Sequence, residues 1–329
     1  MTAVPNITGE DLAGWLRAAL AEVEDLLQDT VDDPRDPLSG MVAGHLLRAG
    51  GKRRRPALAL LAARFGEFDR PAVRNAAAAV ELLHVASLYH DDVMDEAATR
   101  RGVPSANARW GNRVAVLAGD LLVARAAELA APLGAGALHE QTRMVTRLVS
   151  GQLREAFGPG DADPERFYLG VIADKTAALF ALAAGLGARA AGVAEPAREA
   201  LTAFGESYGI AFQLADDLLD AAAPAADTGK PAYADLRQGV ATLPVLRATR
   251  RRGRGPARLR RLVAGGPITD PGRLATAARL LRRSPALAET RQEVIRHTAR
   301  ATGALDALPP GPARDALHAM CADLAAVTT

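Results

Sequence analysis

Aspartates recur twice at the same spacing, each time inside an otherwise apolar stretch. The first run is Glu81-Leu82-Leu83-His84-Val85-Ala86-Ser87-Leu88-Tyr89-His90-Asp91-Asp92-Val93-Met94-Asp95. The second is Phe212-Gln213-Leu214-Ala215-Asp216-Asp217-Leu218-Leu219-Asp220. On a helix, Asp91 and Asp95 lie four apart on one face, with His84 two turns back on nearly the same side. Like charges at that spacing repel, so the helix is destabilised unless a cation sits between them. An acidic helix end or a solvated face would account for one such pattern. Two copies on separate helices resist that explanation, and facing one another across a bundle they would offer six carboxylates to hard cations. Oxygen-only ligands with room for water suit Mg²⁺, which keeps waters and shares phosphate oxygens. Zinc is not expected, because the six histidines cluster neither with one another nor with the single cysteine.

Metal-binding carboxylates need a polyanion to act on, and candidate grips for one lie close in sequence. Gly50-Gly51-Lys52-Arg53-Arg54-Arg55-Pro56 sets four positive charges beside a glycine pair, and Arg100-Arg101-Gly102 follows the first aspartate run. Only three of the 40 basic residues are lysine: Lys52, Lys175 and Lys230. Two follow or adjoin glycine and Lys175 precedes Thr176, so each could meet a phosphate beside accessible backbone, with a compact ammonium rather than a planar guanidinium. Cation-binding aspartates with basic residues nearby are what a diphosphate leaving group requires.

The elements that must carry these residues are helices. Ala and Leu dominate, β-branched runs are short and aromatics make up 4%. Apolar spacing predicts helices over 12–27, 46–65 with a basic interruption, 72–94, 112–133, 138–157, 167–191 and 197–222. A loop is expected over 223–239, with mostly helix beyond it, and residues 1–10 are expected to be loosely ordered. No repeat or linker divides the chain, so the expectation is an all-α fold, one large helical bundle over residues 1–329. The Arg-dense run from Arg250 to Arg261 reads as a solvated loop or, more sharply, as a patch facing anionic lipid.

Composition bounds the rest. Half of the 329 residues are hydrophobic, enough for a sizeable core, and the net charge of +2 gives no case for nucleic acid. A single cysteine, Cys321, cannot form an internal disulfide, so a reducing cytoplasm is expected. The first residues show no basic region followed by an apolar run, and no stretch reaches the ~18 uninterrupted apolar residues of a membrane helix. The protein is expected to be soluble, without an integral membrane segment.

Together these residues resemble the trans-type polyprenyl diphosphate synthase family, from about Gly50 to Pro244. Asp91-Asp92-x-x-Asp95 with Arg100-Arg101-Gly102 is similar to its first aspartate-rich motif, and Phe212-Gln213 with Asp216-Asp217-x-x-Asp220 to its second. Gly50-Gly51-Lys52-x-x-Arg55-Pro56, Gly151-Gln152-x-x-Glu155 and Lys175-Thr176 match the remaining signatures in order. The resemblance implies an isoprenoid-synthase-type bundle around a central cavity, working as a homodimer. It implies condensation of isopentenyl diphosphate with an allylic diphosphate: the allylic C–O bond breaks, the alkene attacks the cation, and a proton is lost. Asp91, Asp95 and Asp216 would hold Mg²⁺, three ions with substrate bound, and Asp92, Asp217 and Asp220 would act as outer partners. Arg100, Lys175, Thr176, Gln213 and Lys230 would grip the allylic diphosphate. Lys52, Arg55, His84 and Arg101 would hold that of isopentenyl diphosphate, although His84 also reads as a core histidine. Gln152 and Glu155 read equally as support for the site or as structure. A weak membrane contact for product release is also expected.

One position departs from the pattern. Family members usually carry Gly-Lys before Thr-Leu-Pro, whereas here the run is Gly239-Val240-Ala241-Thr242-Leu243-Pro244. Either Arg237 compensates or this subgroup manages without the lysine. The Gly-Val variant and Ser105-Ala106-Asn107-Ala108-Arg109-Trp110-Gly111-Asn112 resemble actinobacterial members that make long quinone side chains. In the family the product tail grows beside the helix of the first motif. Residues four and five positions before Asp91 lie roughly 6–8 Å deeper at ~1.5 Å per residue. They are Ser87 and Ala86, both small, with Leu83 further back, so a product longer than geranylgeranyl is expected. The rivals are a farnesyl or geranylgeranyl synthase, a class I terpene cyclase, and a non-catalytic partner subunit. The cyclase lacks need of Lys52, Arg55 and Arg101. The silent partner usually loses its second motif. A metal-storage bundle would need a second Glu-x-x-His pair beside Glu81 and His84, and none is found.

Overall fold

The computed structural model describes residues 10–222 and 233–327. In chain order the helices begin with α1 (Glu10–Val31), α2 (Pro37–Ala43), α3 (His45–Arg48), α4 (Arg54–Ala63) and α5 (Pro71–Met94). A two-residue hairpin of β1 (Thr99–Arg100) and β2 (Val103–Pro104) follows. Next come α6 (Ala106–Trp110), α7 (Asn112–Ala130), α8 (Ala135–Phe157), α9 (Pro164–Ile172), α10 (Ala178–Ala190) and α11 (Glu195–Ala222). The chain continues with α12 (Ala234–Gln238), α13 (Leu243–Arg250), α14 (Arg254–Val263), α15 (Pro271–Arg282), α16 (Ala286–Ala304) and α17 (Pro312–Val327). The expected all-α class is what is found, and the hairpin holds the only strands among the described residues. The expectation for residues 1–10 falls almost wholly outside the described residues.

The chain forms two compact units. The first comprises Met1–Thr146, Leu179–Gly205 and Ala304–Met320, and the second Arg147–Ala178, Glu206–Gly303 and Cys321–Thr329. In the first unit α5 is buried almost all round, from Val73 through Ala76–Val80 to Tyr89 and Asp92. A helix apolar on every face belongs at the centre of a bundle, and α1, α4 and α7 pack against it. Its alanines let those neighbours come close. Tyr89 ties its end to the α2–α3 junction, donating to the Val42 carbonyl at 2.6 Å and accepting from the Leu46 amide at 3.3 Å. Elsewhere in this unit α10 crosses α4 at Gly187, where a Cβ would collide with the Ala59 carbonyl.

In the second unit Leu236, Val245, Leu259, Ile268, Leu274 and Leu281 form a core shared by α12 to α15. Two loop expectations are corrected here. Residues 234–238 are helical, because Asp220 holds the Ala234 and Asp235 amides at 2.8 and 3.0 Å and so caps the turn. The Arg-dense run is also helical from Arg254: arginine is a good helix former, and Pro256 lies in the first turn where its missing N–H costs nothing.

One helical run, Pro164–Ala190, is apolar and long enough to cross a membrane, but 67% of its most apolar window is buried within the protein. It packs as a core helix.

The crossing at Gly187 gives a test of the packing. Alanine would add up to ~1 kcal/mol of helix propensity. The collision, however, is with backbone, which cannot rotate away, and overpacking costs ~1–3 kcal/mol. Gly187→Ala should therefore lower the urea midpoint of the purified protein. An unchanged or raised midpoint would show that α10 and α4 can separate freely.

Candidate active site

Both aspartate runs lie at the C-terminal ends of their helices. Asp91 and Asp92 close α5 and Asp95 caps it, its amide bonding the Asp91 carbonyl at 2.8 Å. Asp216, Asp217 and Asp220 fall in the last two turns of α11. The helix dipole places partial negative charge at this end, where cations are favoured, and neither helix has a basic residue in its last turn. The middle aspartate of each run is turned inward. Asp92 is 0% exposed and takes Nε and Nη2 of Arg100 at 2.7 and 2.6 Å, while its other oxygen is buried without a partner. Burial raises its carboxyl above the usual value, against the pull of Arg100. Asp217 is 3% exposed and accepts from Tyr168 and, at 3.0 Å, from Gln213. Burial pushes it up to about 8, Tyr168 and Gln213 opposing and Asp235 and Asp216 adding to the rise. Asp91 and Asp216 are half-buried and Asp95 is exposed. Among the described residues no three carboxylate, imidazole or thiol groups converge on one point. The candidate ligands in each run are carboxylate oxygens, the donor type that suits a hard ion such as Mg²⁺, which completes its shell with water and substrate oxygens.

In the first unit the basic residues gather around Glu81, which is 2% exposed. Arg53 donates to Glu81 at 2.9 Å and to Glu24 at 2.7 Å, and Arg101 lies 3.7 Å from the same Glu81 oxygen. Arg53 and Arg101 both adopt left-handed backbone, with φ of 45° and 53°, a conformation that costs a non-glycine residue of order 1 kcal/mol or more. The buried ion pairs offset that cost. Gly51 makes room for both, since a Cβ there would lie 2.8 Å from Arg53 and 3.0 Å from Arg101. Lys52 is left exposed beside this cluster, and Arg55 rests over the Phe180 ring at 4.6 Å. Burial, then the guanidinium groups of Arg55, Arg101, Arg53 and Arg100, hold the His84 imidazole well below its usual 6.5. His84 is therefore neutral at pH 7.

In the second unit Lys175 and Thr176 sit in a π-helical turn, Ala173–Ala177, between α9 and α10. Such turns are rare and favour functional sites. Gly151 on α8 lets this turn approach: a Cβ there would fall 2.9 Å from Asp174 Cβ and 3.4 Å from Lys175 Cγ. Arg147 and Arg154 pin Asp174, Lys175 bonds Glu155, and Thr176 donates to Gln213 at 3.0 Å. A chain of contacts thus joins Thr176, Gln213, Asp217 and Tyr168. Gln152 is half-buried, its side-chain oxygen without a partner. Lys230 lies outside the described residues.

A family model described as polyprenyl synthetase matches residues 37–279, an interval holding every motif above. The chain belongs to the polyprenyl synthetase family. The nonaprenyl diphosphate synthase of Mycobacterium tuberculosis is 41% identical over 321 residues, 95% of each chain. The heptaprenyl diphosphate synthase component 2 of Geobacillus stearothermophilus is 41% identical over 307 residues, 92% of this chain and 94% of its own. Among solved structures, the geranylgeranyl pyrophosphate synthase of Corynebacterium glutamicum, complexed with calcium and isoprenyl diphosphate, superposes with a TM-score of 0.87. It is 40% identical and covers 98% of both chains.

As a polyprenyl synthetase the chain is a prenyltransferase, and members of its family work with Mg²⁺. The motif reading missed three residues of the site. Glu81 was visible only as half of a metal spacing, whereas it is the counter-ion of two arginines. Tyr168 and Asp174 belong to no motif. Only the apolar surroundings of Tyr168, seven residues before Lys175, hinted at its burial.

Two predictions follow from this geometry. Gly151→Ala should displace the π turn and, since a misplacement near 1 Å can cost ~10²-fold, lower kcat/KM for the allylic substrate by at least tenfold. Activity equal to wild type would show that the turn does not set Lys175. The depressed pKa of His84 has a stability consequence. The folded state keeps it neutral while the unfolded chain takes up a proton below about 6.5, so it contributes stability above that pH that is lost as pH falls through it. Denaturant titration from pH 7.5 to pH 5.5, as an order-of-magnitude window around that value, should show a shallower decline for His84→Gln than for wild type. Parallel curves would mean that His84 is charged in the fold.

Proposed function

We propose that this prenyltransferase extends an allylic diphosphate with isopentenyl diphosphate past geranylgeranyl length, for a membrane-borne carrier such as a quinone side chain. The observation that carries the length is on α5. One turn and more before Asp91 stand Ser87, half-buried, and Ala86 and Leu83, both buried. The nearest aromatic, Tyr89, turns away to bond Val42 and Leu46. Nothing bulky on this helix stops a growing tail. The long-chain names of the mycobacterial and Geobacillus relatives support this, and the Corynebacterium name weighs toward a shorter product.

In this reading the whole chain is one catalytic domain, since the family match spans segments of both units. Asp91, Asp95 and Asp216 bind Mg²⁺, three ions in the substrate complex, and the inward-turned Asp92 and Asp217 hold the helix ends that present them. Bound Mg²⁺ neutralises the allylic diphosphate and stabilises the charge that develops as its C–O bond breaks. Lys175 exchanges Glu155 for that diphosphate, with Thr176, Gln213 and Lys230 beside it. Arg100 keeps two nitrogens on Asp92 and offers Nη1. Lys52, Arg55 and Arg101 hold the diphosphate of isopentenyl diphosphate, and neutral His84 contributes a hydrogen bond rather than a charge. The alkene attacks the allylic carbon, and the departing diphosphate takes the proton. No side chain acts as nucleophile. The enzyme works in the cytoplasm as a homodimer.

The test is product sizing with Mg²⁺, labelled isopentenyl diphosphate and farnesyl diphosphate. We expect a ladder running past geranylgeranyl, and Ser87→Phe should shorten it to farnesyl or geranylgeranyl while total turnover stays within about tenfold. A wild-type product ending at geranylgeranyl would keep the reaction and overturn the length. The Geobacillus relative is named a component, which favours a second reading in which this chain needs a partner subunit. No incorporation with any primer, and its return with Val240→Lys or an added partner, would support that reading.

A further inference from the structure

Positive charge is concentrated in one stretch far from the motifs. Residues 251–288 hold ten arginines and a single acid, Asp270, although the whole chain carries only +2. The rest of the chain is therefore net acidic, and an arginine-rich composition alone does not explain the concentration. Some of this charge is used internally. Arg251 pairs with Glu289, and Arg260 donates to the Thr249 and Arg251 carbonyls. Arg254, Arg258 and Arg261 are different. They recur at i, i+4 and i+7 on the outer face of α14, opposite buried Leu259, and all three are exposed. Arg252 precedes them, and Arg279 and Arg283 are exposed at the end of the neighbouring α15. The two helices lie side by side, Arg273 reaching the Leu262 carbonyl at 3.5 Å. Among the described residues none of the six has a carboxylate partner.

From this we infer that the outer face of α14 and α15 is a docking surface for the anionic phospholipid headgroups of a membrane. Guanidinium groups bind phosphate through paired N–H donors, and near an anionic bilayer each contributes about fivefold to partition. The face offers no aromatic anchor of the kind that centres protein interfaces or stacks single-stranded bases. It also offers no apolar wedge, so the contact is peripheral and electrostatic. The reason to commit to lipid rests on the proposed length. A tail beyond geranylgeranyl carries many CH₂ groups, each favouring hydrocarbon over water by a large factor, so product leaves most readily where a bilayer is at hand.

The test is co-sedimentation of the unliganded protein with vesicles of phosphatidylglycerol and phosphatidylcholine, against phosphatidylcholine alone, at low and physiological salt. It needs no turnover, so it can fail or succeed independently of product sizing. We expect binding only to the anionic vesicles, weakening with salt. It should fall at least tenfold in Arg254→Glu/Arg258→Glu/Arg261→Glu and less in the corresponding Gln triple. Reversal of Arg17, Arg113 and Arg143, exposed in the first unit, should leave it unchanged. Circular dichroism and vesicle-free turnover of the triple should match wild type. Equal binding to neutral vesicles, equal loss in the control triple, or binding to duplex DNA without binding to vesicles would each overturn the inference.

Discussion

Carboxylates at the C-terminal end of a helix are on the wrong side of its dipole. Here two long helices, α5 and α11, each finish on three of them without a compensating cation in the last turn. The arrangement is electrostatically unfavourable as it stands and becomes favourable when positive charge arrives from outside. Much of the surrounding structure serves to keep it in place. The inward-turned Asp92 and Asp217 are anchored by Arg100 and by Tyr168 with Gln213. Asp220 is tied to the start of α12. The proposed metal ligands Asp91, Asp95 and Asp216 contrast in burial with Asp92 and Asp217, which are buried, whereas Asp91 and Asp216 are half-buried and Asp95 is exposed.

The basic side is built on the opposite principle. Arginines crowd together in the first unit only because Glu81 and Glu24 sit among them, and breaking a buried pair of this kind is costly. Two of these arginines hold left-handed backbone. A glycine would relieve that strain but would lose the guanidinium, so the charge outweighs the conformational cost. Lys52 is exposed at the edge of the cluster, and Arg55, half-buried, lies over the Phe180 ring. The cluster thus separates arginines that build it from the exposed Lys52.

The fold was largely legible in the sequence because helical periodicity is a local signal, and the helices of the apolar runs begin and end within a few residues of where spacing puts them. Of the candidate site, the aspartates, Lys52, Lys175 and His84 could be singled out because residue type and spacing suggest their chemistry. What could not be read depends on contacts between segments far apart in the chain. The π turn at Lys175 has no sequence signature, and it follows from the closeness of Gly151 and the two arginines on Asp174. Tyr168 meets Asp217 across 49 positions. The arginine run was misread as loop because its glycines and proline suggested one, whereas Leu259 and Leu262 bury a helical face there.

His84 shows why residue type alone is an incomplete guide to a site. Its position beside four arginines reads as one more cation for a phosphate. Yet those same arginines, after burial, keep it neutral. A diphosphate arriving among them would cancel part of their field, but burial, the larger cause, would remain. On the proposed reading His84 would therefore meet the anion as a neutral hydrogen-bonding group, leaving the charge to the arginines. A site built from many cations and one neutral imidazole can in this way accept an anion without the repulsion of one more cation beforehand.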